Sequence, residues 1–273
     1  MRRRIALPVL CLSFALSALP AHAQYAVRSS STRATGENYR VEIGGYFWNP
    51  SPDILIASEA FPGEIGDTID FVNDLGLEKQ WHTQLRVVLR PATKHKFRFE
   101  FTPIKYEQPL GVITRDIEFN GIIYSASLPV STTLDWKAYR FTYEWDIVYK
   151  DRGFFGILLE VKHTDVRAEL INILQNEFVR ARAPIPAIGA IGRVYVAPNI
   201  AITGEFSGFR LPEGIDEDYR ARYYDFDVYG TANFTDHFGA QAGYRSFDVF
   251  YRVDDDEGAM TLKGPYLGGV VRF

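Results

Sequence analysis

The chain has 273 residues, 30 Lys and Arg, 34 Asp and Glu, a formal charge of −4, 15% aromatic residues and one cysteine. Net acidity argues against a nucleic-acid partner, and one cysteine leaves no internal disulfide to form. No segment after the N-terminus reaches ~18 uninterrupted apolar residues, so no transmembrane helix is visible; a strand crossing a membrane would show alternation instead.

Arg2, Arg3 and Arg4 form a basic region, Ile5 to Leu19 an apolar one, and Ala21-His22-Ala23 an A-x-A cleavage site. This is the pattern of an export signal at residues 1–23, removed to leave Gln24 first. Loss of three arginines takes the formal charge from −4 to −7. Cys11 leaves with them, so the mature chain is expected to have no thiol nucleophile and no Cys-ligated metal. Gln24 to Asn38 is polar and rich in Ser, Thr and Arg, and reads as a flexible leader.

From residue 39 onward the chain alternates. Tyr39, Val41, Ile43 and Phe47 oppose Arg40, Glu42 and Gly44. Trp81, Leu85, Val87 and Leu89 oppose His82, Gln84, Arg86 and Arg90, and Phe97, Phe99 and Phe101 oppose Lys96, Arg98, Glu100 and Thr102. The longest run sets Tyr139, Phe141, Tyr143, Trp145, Ile147 and Tyr149 against Ala138, Arg140, Thr142, Glu144 and Asp146. Segments at 155–162, 188–196, 200–207, 224–234, 240–245 and 266–273 continue the pattern. Period-2 alternation of this extent predicts strands, not helices.

The links alternate as well. Pro91–His95, Lys150–Gly153, Pro198-Asn199 and Thr235–His237 are short and turn-rich. Asn49–Gln80, Glu107–Thr133, Thr164–Pro186, Leu211–Asp218 and Asp254–Gly258 are mostly longer and polar. The expected fold is all-β: a transmembrane antiparallel up-and-down barrel spanning 39–273, with ten strands and both termini on one side. Twelve is the alternative. Asp116 to Tyr124 carries an Asn120-Gly121 hairpin signal, which forms either a surface hairpin or two more spanning strands. Spanning would put Arg115 toward lipid at about 2–4 kcal/mol, which favours the surface hairpin. Leu170, Ile173, Leu174 and Phe178 fall at helical spacing within Asp165–Ala181, so this loop is either a short helix at the barrel mouth or an extension of the preceding strand.

The inward face carries the charges. Arg40, Arg86, Arg98, Arg140, Lys162, Arg193, Arg245 and Arg272 are set against Glu42, Glu100, Glu144, Asp146, Glu160, Glu205, Asp225 and Asp227. Eight against eight predicts internal ion pairs bracing a narrow lumen, because an unpaired buried charge is costly. The same residues could instead line a binding site or narrow pore. His82 faces inward beside Gln84 and Arg86, as a neutral histidine in a hydrogen-bond network or a catalytic or proton-linked one; His163 lies near Asp165 but has no second acidic pair that would make a hydrolytic site, and no catalytic residue is assigned. Asp254, Asp255, Asp256 and Glu257 form an acidic loop, either a solvated turn or a surface cation site. No metal motif is present and no cofactor is expected. Trp81, Trp145, Tyr143, Tyr149, Phe234 and Phe273 sit near strand ends, where interfacial aromatic girdles are expected.

The last strand runs Tyr266-Leu267-Gly268-Gly269-Val270-Val271-Arg272-Phe273. Val271 and Phe273 share one face, Tyr266 and Gly268 the other. Its spacing of Tyr266, Gly268, Val271 and terminal Phe273 resembles the C-terminal assembly signal of bacterial outer-membrane β-barrels. The resemblance extends to the export signal and the alternating strands, and so covers nearly all of the mature chain. It implies an outer-membrane location, a periplasmic leader and termini, and contacts with outer-membrane lipids, lipopolysaccharide, periplasmic chaperones and the barrel-assembly machinery. A monomer is expected. Three functions remain open: a filled barrel with an envelope or surface-ligand role, a narrow channel for small solutes, and a surface enzyme acting on lipid or peptide.

Overall fold

The computed structural model describes residues 34–57, 59–61, 64–65, 68–113, 115–119, 122–126, 129–172, 176–212, 219–253 and 256–273. The expected signal peptide, most of the leader, the Asn120-Gly121 turn, Asp254 and Asp255 lie outside them. Among the described residues the strands run in chain order as β1 Val41–Trp48, β2 Ser51–Ala57, β3 Glu59–Phe61, β4 Glu64–Ile65, β5 Ile69–Asp70, β6 His82–Ala92, β7 His95–Val112, β8 Ile117–Phe119, β9 Ile122–Tyr124, β10 Pro129–Lys150, β11 Gly153–Ile171, β12 Asn176–Ala197, β13 Ile200–Arg210, β14 Tyr219–Asn233, β15 Phe238–Val253 and β16 Asp256–Arg272.

Ten of them close on themselves. β1, β6, β7, β10, β11, β12, β13, β14, β15 and β16 pair in that order, each antiparallel to the next, and β16 pairs back onto β1. Closure removes the free edges that an open sheet would expose. β2 keeps the β1 register along β16: Trp48 faces Tyr266 and Ser51 faces Lys263. The two are one strand interrupted at Asn49-Pro50, where proline has no N–H to give the ladder. β8 and β9 form their own two-stranded sheet. The barrel therefore has ten strands, and the Asp116–Tyr124 hairpin is not part of its wall.

Burial is inverted relative to a protein that folds in water. Phe97, Phe99, Phe141, Leu159, Val161, Phe206, Phe226 and Leu267 are exposed, whereas Arg86, Glu100, Glu144, Lys162, Asp225 and Asp227 are buried. So large an apolar surface would be an aggregation liability in water; it suits a wall facing lipid.

The wall is uneven in height. β7, β10, β11 and β12 have 18, 22, 19 and 22 residues, whereas β13 has 11. At about 3.3 Å per residue, 22 residues reach roughly 70 Å, more than twice a hydrocarbon core of about 30 Å. Much of the sequence read as loops at 107–133 and 164–186 is therefore tall strand. The helix considered at Asp165–Ala181 does not form. β11 runs to Ile171 and pairs on both sides, with β10 and β12. Val166, Ala168 and Leu170 alternate there with Asp165, Arg167 and Glu169, and the two neighbouring ladders satisfy the backbone in the extended form.

Two parity readings also change. A bulge between Asp146 and Val148 leaves both Ile147 and Val148 exposed. The extra residue flips the strand end, so Tyr149 turns in and its ring stacks on Phe154 at 6.2 Å instead of joining an outer girdle. Tyr39 precedes β1 and is buried, beneath Arg90 and Arg272.

Short turns and both ends of the barrel chain lie at one end of the cylinder, and the longer links at the other. Toward the long-loop end the interior becomes apolar. Wall residues Ile104, Tyr106, Leu134, Trp136, Leu170 and Leu262 pack with Ile69, Phe71, Leu75 and Leu77 from the first long link, and with Ile113, Ile117 and Tyr124 from the hairpin region. Asp70 shapes that link, its Oδ1 accepting from Val72 N and Asn73 N, both at 2.9 Å. Arg115 ties the hairpin to it, donating to Asp74 Oδ1 at 3.2 Å, Asp74 Oδ2 at 2.8 Å and Thr68 O at 2.8 Å. Those hydrogen bonds hold the Asp74 carboxyl below its ordinary value. The folded-in segments form a cap.

Candidate functional site

Below the cap the lumen is a lattice of charge. Alternation sends every second side chain of each strand inward, and ten strands around a narrow axis bring those side chains into contact. Buried Arg86, Arg90, Lys96, Arg98, Arg140, Lys162, Arg193, Arg245 and Arg272 meet buried Glu37, Glu42, Glu100, Glu144, Asp146, Glu160, Glu205, Asp225 and Asp227.

Glu100 is the hub. Its carboxylate lies 2.8 Å from Arg86, 3.4 Å from Arg98, 3.4 Å from Arg140 and 3.7 Å from Arg245. Arg98 crosses the lumen to reach both oxygens of Glu205 at 2.9 Å, and Glu144 at 3.2 Å. Arg140 pairs with Glu160 and comes within 3.7 Å of Asp225. Arg245 grips Asp225 with two bonds of 3.0 and 2.7 Å, and Lys162 bridges Glu160 at 3.0 Å and Asp225 at 3.3 Å. Asp227 accepts from Tyr266 at 2.9 Å and lies 3.7 Å from Arg86. Lys96 joins Glu144 at 2.5 Å and Asp146 at 2.9 Å. At the β1–β16 seam Arg272 holds Glu42 at 2.5 Å and Asn233 at 2.7 Å.

Arg40 stands apart from this lattice. It is exposed at the rim, with Nη1 on Pro91 O at 3.3 Å, because the chain enters the wall only at Val41. Arg90 and Lys96 share the inward parity and take places that the list of eight cations left out.

Glu37 falls in the stretch expected as leader and carries no alternation signal. Residues 34–38 instead fold across the short-turn end. Thr35 N donates to Pro198 O at 2.8 Å, and Gly36 N to Asp236 Oδ1 at 2.8 Å. Gly36 has φ +83° and packs so closely that a Cβ would lie 2.6 Å from Arg272 Nη1, so glycine is required on both counts. Glu37 then reaches Arg193 at 2.9 Å and Arg90 at 3.4 Å, and accepts from the Tyr195 hydroxyl at 2.8 Å. Burial by itself would raise the Glu37 pKa. Arg193, Lys96 and Arg90 outweigh it and bring the pKa down to about 2.

Tyr266, Gly268 and Arg272 of the terminal strand face inward, and Phe273 is exposed. Gly268 makes room for the Tyr46 ring: a Cβ there would lie 2.2 Å from Gly45 O and 2.4 Å from Tyr46 Cδ1. Phe273 closes the seam through its backbone, with Phe273 N on Val41 O at 2.9 Å and Phe273 O accepting from Arg40 N at 2.7 Å. His82 is buried, edge-on to Tyr106 at 4.7 Å, and His163 is exposed beside Tyr139. Asp165 pairs with Arg180 and Arg182. Of the four residues expected as an acidic loop, Asp256 and Glu257 belong instead to strand β16, where the ladder to β15 extends them, and Glu257 pairs with Arg252.

Between the lattice and the cap lies a cavity of about 40 Å³, floored by Glu100, Arg140, Lys162 and Arg245 and roofed by Trp48, Trp136, Tyr223 and Phe247. It has room for about three waters. Trp136 stacks on Phe247 at 4.5 Å, and Arg245 sits 6.0 Å over the Trp48 ring. From the short-turn end upward, the interior is therefore the 34–38 segment, the charge lattice, this small cavity, and the apolar cap.

No protein-family model matches the chain. No curated protein matches it either. Solved structures do. The outer-membrane protease OmpT of Escherichia coli is 8% identical, with 90% of this chain and 100% of that one covered, at a TM-score of 0.56. The attachment invasion locus protein Ail of Yersinia pestis, in complex with a heparin analogue, is 11% identical over 86% and 99% of the two chains, at 0.38. The toluene transporter TodX of P. putida is 8% identical over 89% and 93%, at 0.33. A closed antiparallel barrel with an apolar outside and a polar inside is the fold of the bacterial outer-membrane β-barrels, and this protein is one of them by fold. Its barrel has ten strands, and its interior holds paired charges and packed apolar side chains.

Proposed function

We propose that the protein is a closed, non-conducting barrel of the bacterial outer membrane, with a structural or surface-contact role in the envelope. The termini and short turns face the periplasm, and the tall wall and cap face outward. The observation that carries this reading is the lumen itself. Among the described residues, nine buried cations and nine buried carboxylates interlock across it, and apolar packing closes the end above. A solute path would need those pairs to separate, and each broken buried pair leaves charges uncompensated. A wide channel also tends to carry a field of one sign, which this balanced interior does not supply.

Solute flux tests it. Liposomes reconstituted with the folded protein should swell in an isotonic small-sugar solution no faster than protein-free liposomes. Swelling that rises with the amount of inserted protein would favour the channel reading.

A further inference from the structure

The outer wall carries a feature that the closed-barrel reading does not use. β7, β10, β11 and β12 lie side by side, and their outward residues form cross-strand rows. One row holds Phe101, Tyr139 and His163, with the Phe101 and Tyr139 rings stacked at 4.9 Å. Toward the long-loop end, the next row holds Lys137, Asp165 and Arg182. The row after it holds Lys105, Asp135, Arg167 and Arg180.

Five cations and two carboxylates thus occupy two rows directly beyond the aromatic one. Two residues along a strand advance about 7 Å, so the first charged row stands where lipid headgroups meet an interfacial aromatic belt. Lys105 and Arg167 pair with Glu107 and Glu169 of the row beyond, so the five cations meet four carboxylates, and the shortfall falls on Lys137, Arg180 and Arg182. Arg180 and Arg182 share the single carboxylate of Asp165, through bonds of 2.8 and 2.6 Å from Arg180 and 3.1 Å from Arg182. Arg167 lies directly opposite Arg180 across the β11–β12 ladder. Arg167 is met by Glu169 at 3.3 Å, so the charge left over is that of Lys137 and of two arginines on one carboxylate, and a bound anion balances it. The Arg180 and Arg182 side chains are about half exposed, at 44% and 56%, and arginine forks match phosphate oxygens.

We propose that Lys137, Arg180 and Arg182 form an outward-facing site for the phosphate of a lipid headgroup in the leaflet at the long-loop end. This rests on the membrane placement proposed above. The ligand class is a phosphorylated lipid whose acyl chains lie along the apolar wall while its phosphate meets the arginines.

The test uses the full barrel folded in detergent and native mass spectrometry. The probes are bis-phosphorylated lipid A, its dephosphorylated form, and inorganic phosphate. The wild type should retain phosphorylated lipid A. The double variant Arg180→Ala/Arg182→Ala should bind it about tenfold or more weakly, and Arg180→Lys/Arg182→Lys should recover part of the loss, keeping charge without the fork. Equal retention by wild type and double alanine variant would overturn the site. So would equal retention of the dephosphorylated lipid, or displacement by inorganic phosphate at the lipid's own concentration, which marks a free-anion site. Insertion into liposomes separates the two claims. A folded chain that does not insert overturns the placement and this site together, whereas normal insertion with unchanged lipid binding overturns only the site.

Discussion

Glu37 sets the charge balance of the lumen. With it nine carboxylates meet nine cations; without it Arg193 and Arg90 lose a shared partner. Its carboxyl titrates at about 2 in the folded chain against an ordinary 4.5. A depressed folded value means that unfolding takes up a proton. The stabilisation is therefore complete above about pH 4.5 and lost as pH falls through about 2. Glu37→Gln should destabilise the detergent-folded barrel near neutral pH by at most about 3 kcal/mol, read as a lower urea midpoint. The gap from wild type should close between pH 4.5 and 2; a gap that stays constant through that window would show that the Glu37 charge is not what matters. Arg140 offers a second test. Arg140→Ala strips Glu160 of its closest guanidinium and takes one from Glu100 and Asp225. The expected cost is about 3–5 kcal/mol, read as a lower denaturation midpoint. An unchanged midpoint would mean that the lattice fills space without bracing the wall.

Among the elements, β16 both closes the barrel and carries the terminal motif. Gly268→Val should prevent folding in detergent as well as in cells, since its side chain would displace Tyr46 or the Gly45 backbone. Phe273→Ala keeps the backbone bonds of the seam and removes only an exposed ring. If assembly machinery reads that ring, folded barrel in the outer membrane should fall, seen as less heat-modifiable band on cold gels, while folding of the purified chain in detergent is unchanged. Equal levels in cells would show that the ring is not read. In the cap, Phe71 is fully buried. Phe71→Ala should cost about 3–5 kcal/mol and speed proteolysis at the long-loop end, while leaving the spanning wall resistant; an unchanged cleavage rate would mean the cap does not depend on that packing.

How far each element could be read from sequence follows from its physics. Spanning strands announce themselves because lipid on one side and lumen on the other force a period of two, as in Tyr139–Asp146. Strand ends beyond the apolar band lose that contrast: Asp165, Arg167 and Glu169 are polar on the outside, and Leu170 and Phe178 fall by chance at helical spacing. The bulge after Asp146 has no local signature and shifts Tyr149 by one. Glu37 was out of reach because its partners, Arg90 and Arg193, lie 53 and 156 residues away.

On the closed-barrel reading proposed above, the whole molecule is a stack of plugs inside a lipid-facing sleeve. The leader's last residues close one end, ion pairs cross the middle, and the first long link and the hairpin close the other. The inward charge set was legible as a class, since buried charge on a spanning strand needs partners. Its pairing was not, because which strands face each other depends on closure and register. If the three layers act as closures in series, the wild-type barrel passes no ions. Folded protein inserted into a planar bilayer, with insertion verified by the heat-modifiable band of the same preparation, should give no discrete current steps between pH 6 and 8 at moderate voltage. Stable ohmic steps whose frequency scales with protein amount, and which persist in the wild-type chain without denaturant, would contradict the filled-lumen account.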